Sequence, residues 1–330
     1  MLEPALIHVE DLIVEFRTES GRFRAVDSLS LALHPGETVG LVGESGSGKT
    51  VTALSIMRLM DERAEIVGGR IWFMQEDLLK KTDAEMRRIR GRRIGMIFQE
   101  PMTSLNPAYI VGEQIAEIYR HQLQATRAQA KRSALEMFER VKLPSSKAVY
   151  TKYPHELSGG MRQRVMIAAA IACKPDLLIA DEPTTALDVS IQAQILALLQ
   201  ELQSEMGMAV LFISHNLEVV AELCTQVAVV YGGNLVEVGS VDRLFQSPAH
   251  PYTEGLLRSI PQRGATLRPI AGAIFDPRFP PSGCRFHPRC PYAQERCRDE
   301  IPAFGPLKNQ TLQKDASDPH GVSCHFPLSN

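Results

Sequence analysis

The sequence predicts an α/β fold, and three observations carry that prediction. Short, β-branched apolar runs recur between residues 38 and 231 and are mostly apolar on both faces, as in a covered parallel sheet. Segments with helical spacing alternate with them. A glycine-rich stretch, "GESGSGKT" (43–50), joins the first run to the first helix.

The elements follow in chain order. "TVGLVG" (38–43) reads as a strand, and "TVTALSIMRLM" (50–60) as a helix that begins at about 49. "MRRIRGRR" (86–93) reads as a solvated helix face running into the next strand, "RIGMIF" (93–98). From about 110 to 172 the pattern changes. "VGEQIAEIYRHQL", "RAQAKRSALEMFERVKL" and "MRQRVMIAAAIAC" have helical spacing with no clear strand between them, so an inserted helical subdomain is expected there. "DLLIAD" (176–181) returns to strand, and "IQAQILALLQELQSEMG" (191–207) is a helix stopped by Gly207. "AVLFIS" (209–214) and "QVAVVY" (226–231) are the last clear strands. After residue 262 the periodicity fades, and ten of the 21 prolines fall there. The reading is a domain over 1–262 and an extension over 263–330 that needs a source of order other than a large core.

Composition bounds the function. The 330 residues are 44% hydrophobic and 22% charged, as in an ordinary globular protein. A net charge of −2 offers no electrostatic reason to expect nucleic acid as a partner. No apolar run approaches the roughly 18 residues that span a bilayer. The N-terminus, "MLEPALIHVEDLIVEF", lacks the basic and apolar regions of a signal peptide. The chain is therefore expected to stay in the cytosol, where disulfides are disfavoured.

Residues 43–50 fit G-x-x-x-x-G-K-[ST], a loop whose backbone N–H groups curl around phosphate oxygens. Gly43, Glu44, Ser45, Gly46, Ser47 and Gly48 form it. Lys49 can reach the β- and γ-phosphates of ATP, and the Thr50 hydroxyl can ligate Mg²⁺. The following helix adds its positive dipole end. In "LLIADEP", Asp181 would hold Mg²⁺ and Glu182 would polarise the attacking water; read alone, the pair would pass for acids capping a turn. His215, after "FIS", could contact the γ-phosphate, and Gln99 could sense metal and water. "LSGGMRQR" (157–164) places Ser158, Gly159 and Gly160 before an apolar helix, where a hydroxyl and free N–H groups can grip an anion. That helix lies in the inserted segment, so reaching the same nucleotide is easier from a second molecule.

In this order the motifs resemble the ATP-binding subunit of an ABC transporter. The resemblance covers residues from about 6 to 262 and includes the D-loop "TALD" with Asp188. It implies a P-loop NTPase (RecA-like) ABC nucleotide-binding domain with an inserted helical signature subdomain and a short cysteine-containing C-terminal extension. It also implies that Phe16 stacks on adenine, with Phe23 as the rival because "RTESGRF" lengthens the spacing. Two such subunits close head to tail on two ATP molecules, phosphate loop of one against signature of the other, and drive separate membrane subunits. "EPMTSLNPAYIVGEQI" (100–115) resembles the region that docks such a subunit.

"GMIFQEPMTSLNP" and "HPYTEGLL" are similar to the dipeptide, oligopeptide and nickel importer group, the dipeptide type above all. This implies a second ABC ATPase subunit, in a heterodimer rather than a homodimer. It further implies two transmembrane permease subunits, an extracytoplasmic solute-binding protein, and a peripheral place on the cytoplasmic face of the inner membrane. Nickel or opine uptake, and a non-transport ABC ATPase, are the alternatives. The latter generally carries coiled-coil insertions or fused ATPase domains, which are not evident here.

Cys284, Cys290, Cys297 and Cys324 are separated by five, six and 26 residues. Four thiols in a proline-rich segment suggest a metal staple, and thiolates suit Zn²⁺ and an iron–sulfur cluster alike; free thiols in a surface loop are the plainer reading. His287, His320 and His325 lie nearby and are treated as non-ligands. The importer resemblance implies a [4Fe-4S] cluster. Cys173 and Cys224 are expected as packing residues in apolar helices.

Overall fold

The computed structural model describes residues 4–19, 21–99, 104–185, 187–260, 269–307 and 320–328. Its strands, in chain order, are β1 (Ile7–Thr18), β2 (Gly21–Leu33), β3 (Thr38–Val42), β4 (Ala64–Phe73), β5 (Glu76–Asp77), β6 (Ile94–Ile97), β7 (Leu177–Asp181), β8 (Ala209–Ser214), β9 (Gln226–Tyr231), β10 (Asn234–Ser240), β11 (Gly305–Pro306) and β12 (Gly321–Val322). The chain divides into two compact units. One contains 1–33, 38–79 and 212–330; the other contains 34–37 and 80–211, so the division falls inside β8.

The first unit holds two strand arrays. One is antiparallel, ordered β2-β1-β4-β5. Apolar side chains such as Val14, Val26, Leu29 and Ile71 are fully buried in it. The sequence reading assigned none of these four strands. Register shifts interrupt the β1–β2 ladder between Val9 and Glu15, and Asp11 and Ser28 have left-handed backbones. Each shift breaks the period-2 pattern that marks a strand.

The other array runs β11-β12-β10-β9-β3. Here β9 pairs parallel to β3, Val39 opposite Gln226 through Val42 opposite Val229. Both strands are almost wholly buried, which explains their unbroken apolar runs. The helix Lys49–Met57 follows β3 and ends three residues earlier than the spacing suggests, at a left-handed Arg58. The tail is tied in through β12, where Val322 and Gly321 pair with Glu237 and Val238 of β10.

Glu237 is itself fully buried. Its carboxylate accepts from the Ala249 and His250 backbone N–H groups at 2.7 and 2.9 Å, and lies 2.7 Å from His320 Nε2. A buried carboxyl group needs such hydrogen-bond partners to offset its loss of water. The tail also contributes Phe286, 2% exposed, whose ring meets those of Tyr231 and Tyr252 edge-on or tilted at 5.1 and 5.3 Å. The extension thus draws its order from aromatic packing and one buried polar contact.

In the second unit β6 and β7 pair in parallel, Ile94 opposite Leu177 through Ile97 opposite Ala180. Between them the described residues form helices Val111–Leu123, Arg127–Arg140, Ser146–Tyr150 and Gly159–Ile171, and no strand. Val111, Ile115, Phe138 and Ile167 are fully buried there. Thr126 and Gln129 form a reciprocal capping box at the start of the second helix, a device worth about 1 kcal/mol. The helix Val189–Met206 ends at Gly207 with φ +64°, as the sequence predicts.

Two expectations need correction. Cys224 is buried but caps the helix Leu217–Leu223 instead of lying within it, and Cys173 falls just beyond Ile171 and is half-buried. The 86–93 run does place exposed Arg87 and Arg88 on the helix Asp83–Ile89 ahead of β6. Among the described residues no helix is long and apolar enough to cross a membrane.

Candidate functional site

In the first unit the phosphate loop follows β3. Gly43 takes φ +155°, and a Cβ there would meet the Val230 carbonyl oxygen at 2.1 Å. Gly48 takes φ +103° and would meet the Ala25 carbonyl oxygen at 2.6 Å. Only glycine fits either position. Gly48 also caps the helix that starts at Lys49, and as a glycine it brings no side-chain cap of its own. Such a start favours an anion.

Lys49 is 5% exposed, and its Nζ donates to the Gly43 and Glu44 carbonyl oxygens at 2.8 and 2.9 Å and to Ser47 Oγ at 3.4 Å. The ammonium is therefore stretched back across the loop, where it holds the strand-to-helix turn in shape. Ser47 is buried, while Ser45 and Gly46 are exposed at the mouth of the loop.

Glu44 is held from outside the loop. The Tyr252 hydroxyl accepts its backbone N–H at 2.9 Å. Arg289 donates to its carboxylate through Nη1 at 2.7 Å and Nη2 at 3.0 Å. Neither partner was foreseen from the sequence. Tyr252 lies 208 positions from Glu44 and Arg289 lies 245 away, and no local pattern signals such a pairing.

Phe16 and Phe23 face each other across β1 and β2. Their rings stack with centroids 5.6 Å apart and planes 10° from parallel. Both are half-buried, so the two rivals form one aromatic step. His215, also of this unit, is exposed just beyond β8.

The remaining ATP-site candidates lie in the second unit. Asp181, 1% exposed, ends β7. Glu182 follows with a left-handed backbone, φ +45°. A glutamate there is strained, and such strain concentrates at functional positions. Its Oε2 accepts from Gln99 Nε2 at 3.1 Å and from Thr185 Oγ1 at 3.0 Å. Gln99 and Glu182 are thus together, with Thr185 as an addition that the sequence did not single out.

Ser158 caps the helix Gly159–Ile171, its Oγ accepting from the Met161 N–H at 3.3 Å. Ser158 and Gly159 are exposed, and buried Gly160 packs so closely that a Cβ would lie 2.9 Å from Ile191. Gly159 faces Leu187, so this segment and the D-loop adjoin. Asp188 is exposed at the start of the next helix. Of the segment expected to dock a membrane subunit, residues 100–103 lie outside the described residues, and Tyr109 is 60% exposed.

Cys284, Cys290, Cys297 and Cys324 all line one cavity, beside His287 and His325. Burial pushes the Cys290 thiol up to about 11 and that of Cys324 up to about 12, and raises Cys284 as well. The backbone N–H groups of Phe286, Tyr292 and Phe326, each two residues beyond a cysteine, oppose that rise at Cys284, Cys290 and Cys324. Among the described residues no three His, Cys, Asp or Glu side chains are disposed around a point that could hold one metal ion.

A family model described as "ABC transporter" matches residues 26–185, and one described as "Oligopeptide/dipeptide transporter, C-terminal region" matches residues 236–297. The chain is 45% identical to the dipeptide transport ATP-binding protein DppD of Escherichia coli (strain K12), over 99% of this chain and 98% of that protein. It is 47% identical to a protein of Brucella abortus (strain 2308) named for ATP binding in peptide import, with 98% of each chain covered. Among solved structures it is similar to the dimeric ATP-binding cassette MJ0796, in a post-hydrolysis state bound to ADP and Pi. There the TM-score is 0.65 and the identity 25%, over 71% of this chain and 98% of that one. For cbiO1 from Clostridium perfringens, part of the transporter complex cbiONQ, the likeness is one of fold alone. Its TM-score is 0.62 and its identity 24%, over 74% of this chain and 91% of that one.

Proposed function

The chain belongs to the ABC transporter family, in its oligopeptide/dipeptide branch, and we propose how its residues divide the work of an ATP-hydrolysing subunit that powers peptide import. The observation that carries this reading is the phosphate loop. Its glycines are sterically required, its helix is capped by a glycine that brings no side chain, and Lys49 lies across it.

When ATP enters, Lys49 exchanges its loop carbonyls for the β- and γ-phosphates, and Gly43 to Gly48 wrap the phosphate chain with backbone N–H groups. The aromatic step of Phe16 and Phe23 receives adenine. Thr50 and Asp181 would hold Mg²⁺, which neutralises charge on the transferring phosphoryl group. Glu182 orients and deprotonates the attacking water, Gln99 holds that carboxylate, and His215 contacts the γ-phosphate. Ser158, Gly159 and Gly160 meet the nucleotide of a second ABC ATPase subunit, with Asp188 beside them at the seam. Exposed Ser158 and Gly159, at a helix start that leaves anion-binding groups outward, support this role.

In this reading, closure and reopening of the pair drive two transmembrane permease subunits, and an extracytoplasmic solute-binding protein supplies the peptide. The chain then sits peripherally on the cytoplasmic face of the inner membrane. The naming of the relatives for dipeptide and peptide import supports peptide cargo. The paired ATPase is taken as a different subunit.

Cys284, Cys290, Cys297 and Cys324 would hold a [4Fe-4S] cluster, which staples the extension and takes no part in hydrolysis. Convergence of four thiols on one cavity supports this, as do the backbone N–H groups aimed at three of them. In such a cluster each thiolate binds its own iron, so the ligands need not surround a single point; a tetrahedral zinc site needs four donors around one. Anaerobic purification should give a brown protein with iron and acid-labile sulfide. Stoichiometric zinc without sulfide would reject the cluster.

The test of the ATPase assignment is Glu182→Gln in the assembled importer. Turnover should fall by about 10²- to 10⁴-fold while ATP stays bound. Hydrolysis at the unmodified rate would remove Glu182 from its role.

A further inference from the structure

Glu44 raises an electrostatic problem. It puts a carboxylate one residue into a loop built for a polyanion. Unpaired, that charge would oppose the phosphates at short range, where solvent screens poorly. The structure pairs it with a residue from the far end of the chain. Arg289 is 5% exposed and Glu44 29% exposed. The guanidinium holds both carboxylate oxygens, the bidentate geometry that is strongest for this pair.

Arg289 is itself fixed. Its Nε donates to the Ala271 carbonyl oxygen at 3.0 Å, and Nη1 also reaches the Tyr231 hydroxyl at 3.4 Å. The guanidinium carbon lies 5.7 Å from the Tyr231 ring centre. Arg289 ends the 3-10 turn His287–Arg289, between Cys284 and Cys290. Glu44 is therefore gripped three ways: N–H by Tyr252, carbonyl by Lys49, carboxylate by Arg289.

From this geometry we infer that Arg289 is a positioning residue for nucleotide binding: it neutralises and orients Glu44, so that the cysteine-bearing extension sets the affinity of the phosphate loop for ATP. The inference rests on the ATP-binding reading above. It gives the extension an effect on ATP affinity that does not depend on what the cysteines bind.

The experiment is a double-mutant cycle on the full chain, reading the dissociation constant for ATP at low and moderate salt. Arg289→Gln should weaken ATP binding about tenfold, the scale of one charge-assisted contact, and more at low salt. Glu44→Gln alone is the reference arm of the cycle, since it removes the repelling charge together with its partner's task. The decisive arm is the double variant. Removing the carboxylate should restore affinity to within about threefold of the parent, because the repulsion that Arg289 offsets is gone. In the assembled importer, Arg289→Gln should raise KM for ATP and leave kcat unchanged.

A packing role alone predicts no rescue. A double variant as weak as Arg289→Gln, or Arg289→Gln at parental affinity, overturns the inference. Should Arg289→Gln fail to fold, Arg289→Lys replaces it. It keeps the charge without the fork and should lose about threefold, with the same rescue by Glu44→Gln. A parent chain that binds no ATP would instead overturn the ATP-binding reading itself.

Discussion

Glu182 shows what a single residue reveals and conceals. The stretch "LLIADEP" names the residue and its place at the end of an apolar strand. It does not reveal that the backbone there is left-handed, nor that Gln99 and Thr185 both donate to the same carboxylate oxygen. Left-handed φ is set by the turn that follows β7, and the distant partner Gln99 is brought in by β6. A non-glycine residue held there costs stability. Glu182→Gly should therefore be more stable than Glu182→Ala by about 1 kcal/mol, although neither hydrolyses ATP. Equal urea midpoints for the two would show that the backbone relaxes without penalty.

At the scale of elements, legibility followed burial. Strands buried on both faces, β3, β7, β8 and β9, stand out as apolar runs, and helices between 111 and 171 stand out by spacing. The array β2-β1-β4-β5 does not, since bulges shift its alternation. The tail's strands are two residues long and exist by pairing, β12 with β10 and β11 with β12, which no local period can signal. The helix Pro251–Arg258 shows a cap with a consequence. His250 caps it, Nδ1 accepting from the Tyr252 N–H at 3.0 Å, and burial depresses its pKa from 6.5 to about 4.

The folded state thus keeps His250 neutral, whereas the unfolded chain protonates it below about 6.5. Its contribution to stability is complete above that pH and is lost as pH falls toward 4, by on the order of 3 kcal/mol. His250→Asn keeps a capping acceptor and has no such titration. Urea midpoints should fall less steeply between pH 6.5 and 4 for that variant, and parallel curves would contradict the assignment.

For the whole molecule, the sequence supplied the order of motifs, and order is what identifies the family. Which groups touch was legible only where neighbours in sequence are neighbours in space, as in the loop of Lys49. Contacts closed over some two hundred residues, such as Glu44 with Arg289, were not. A site shared between two protomers makes its own demand. Ser158→Arg puts a bulky cation on an exposed helix start of the second unit and leaves the residues of the phosphate loop unaltered. It should leave ATP affinity of the single chain unchanged and reduce importer turnover by about 10²-fold or more. Undiminished turnover would mean that hydrolysis does not require the second subunit's motif.

The buried carboxylate of Glu237 carries a practical consequence. One of its three partners, His320, is supplied ten residues before the last residue of the chain. A premature stop or proteolytic nick just upstream would spare every nucleotide-handling motif yet leave a carboxyl group in the interior one partner short, so damage at this remote end should surface as poor cellular abundance instead of sluggish chemistry.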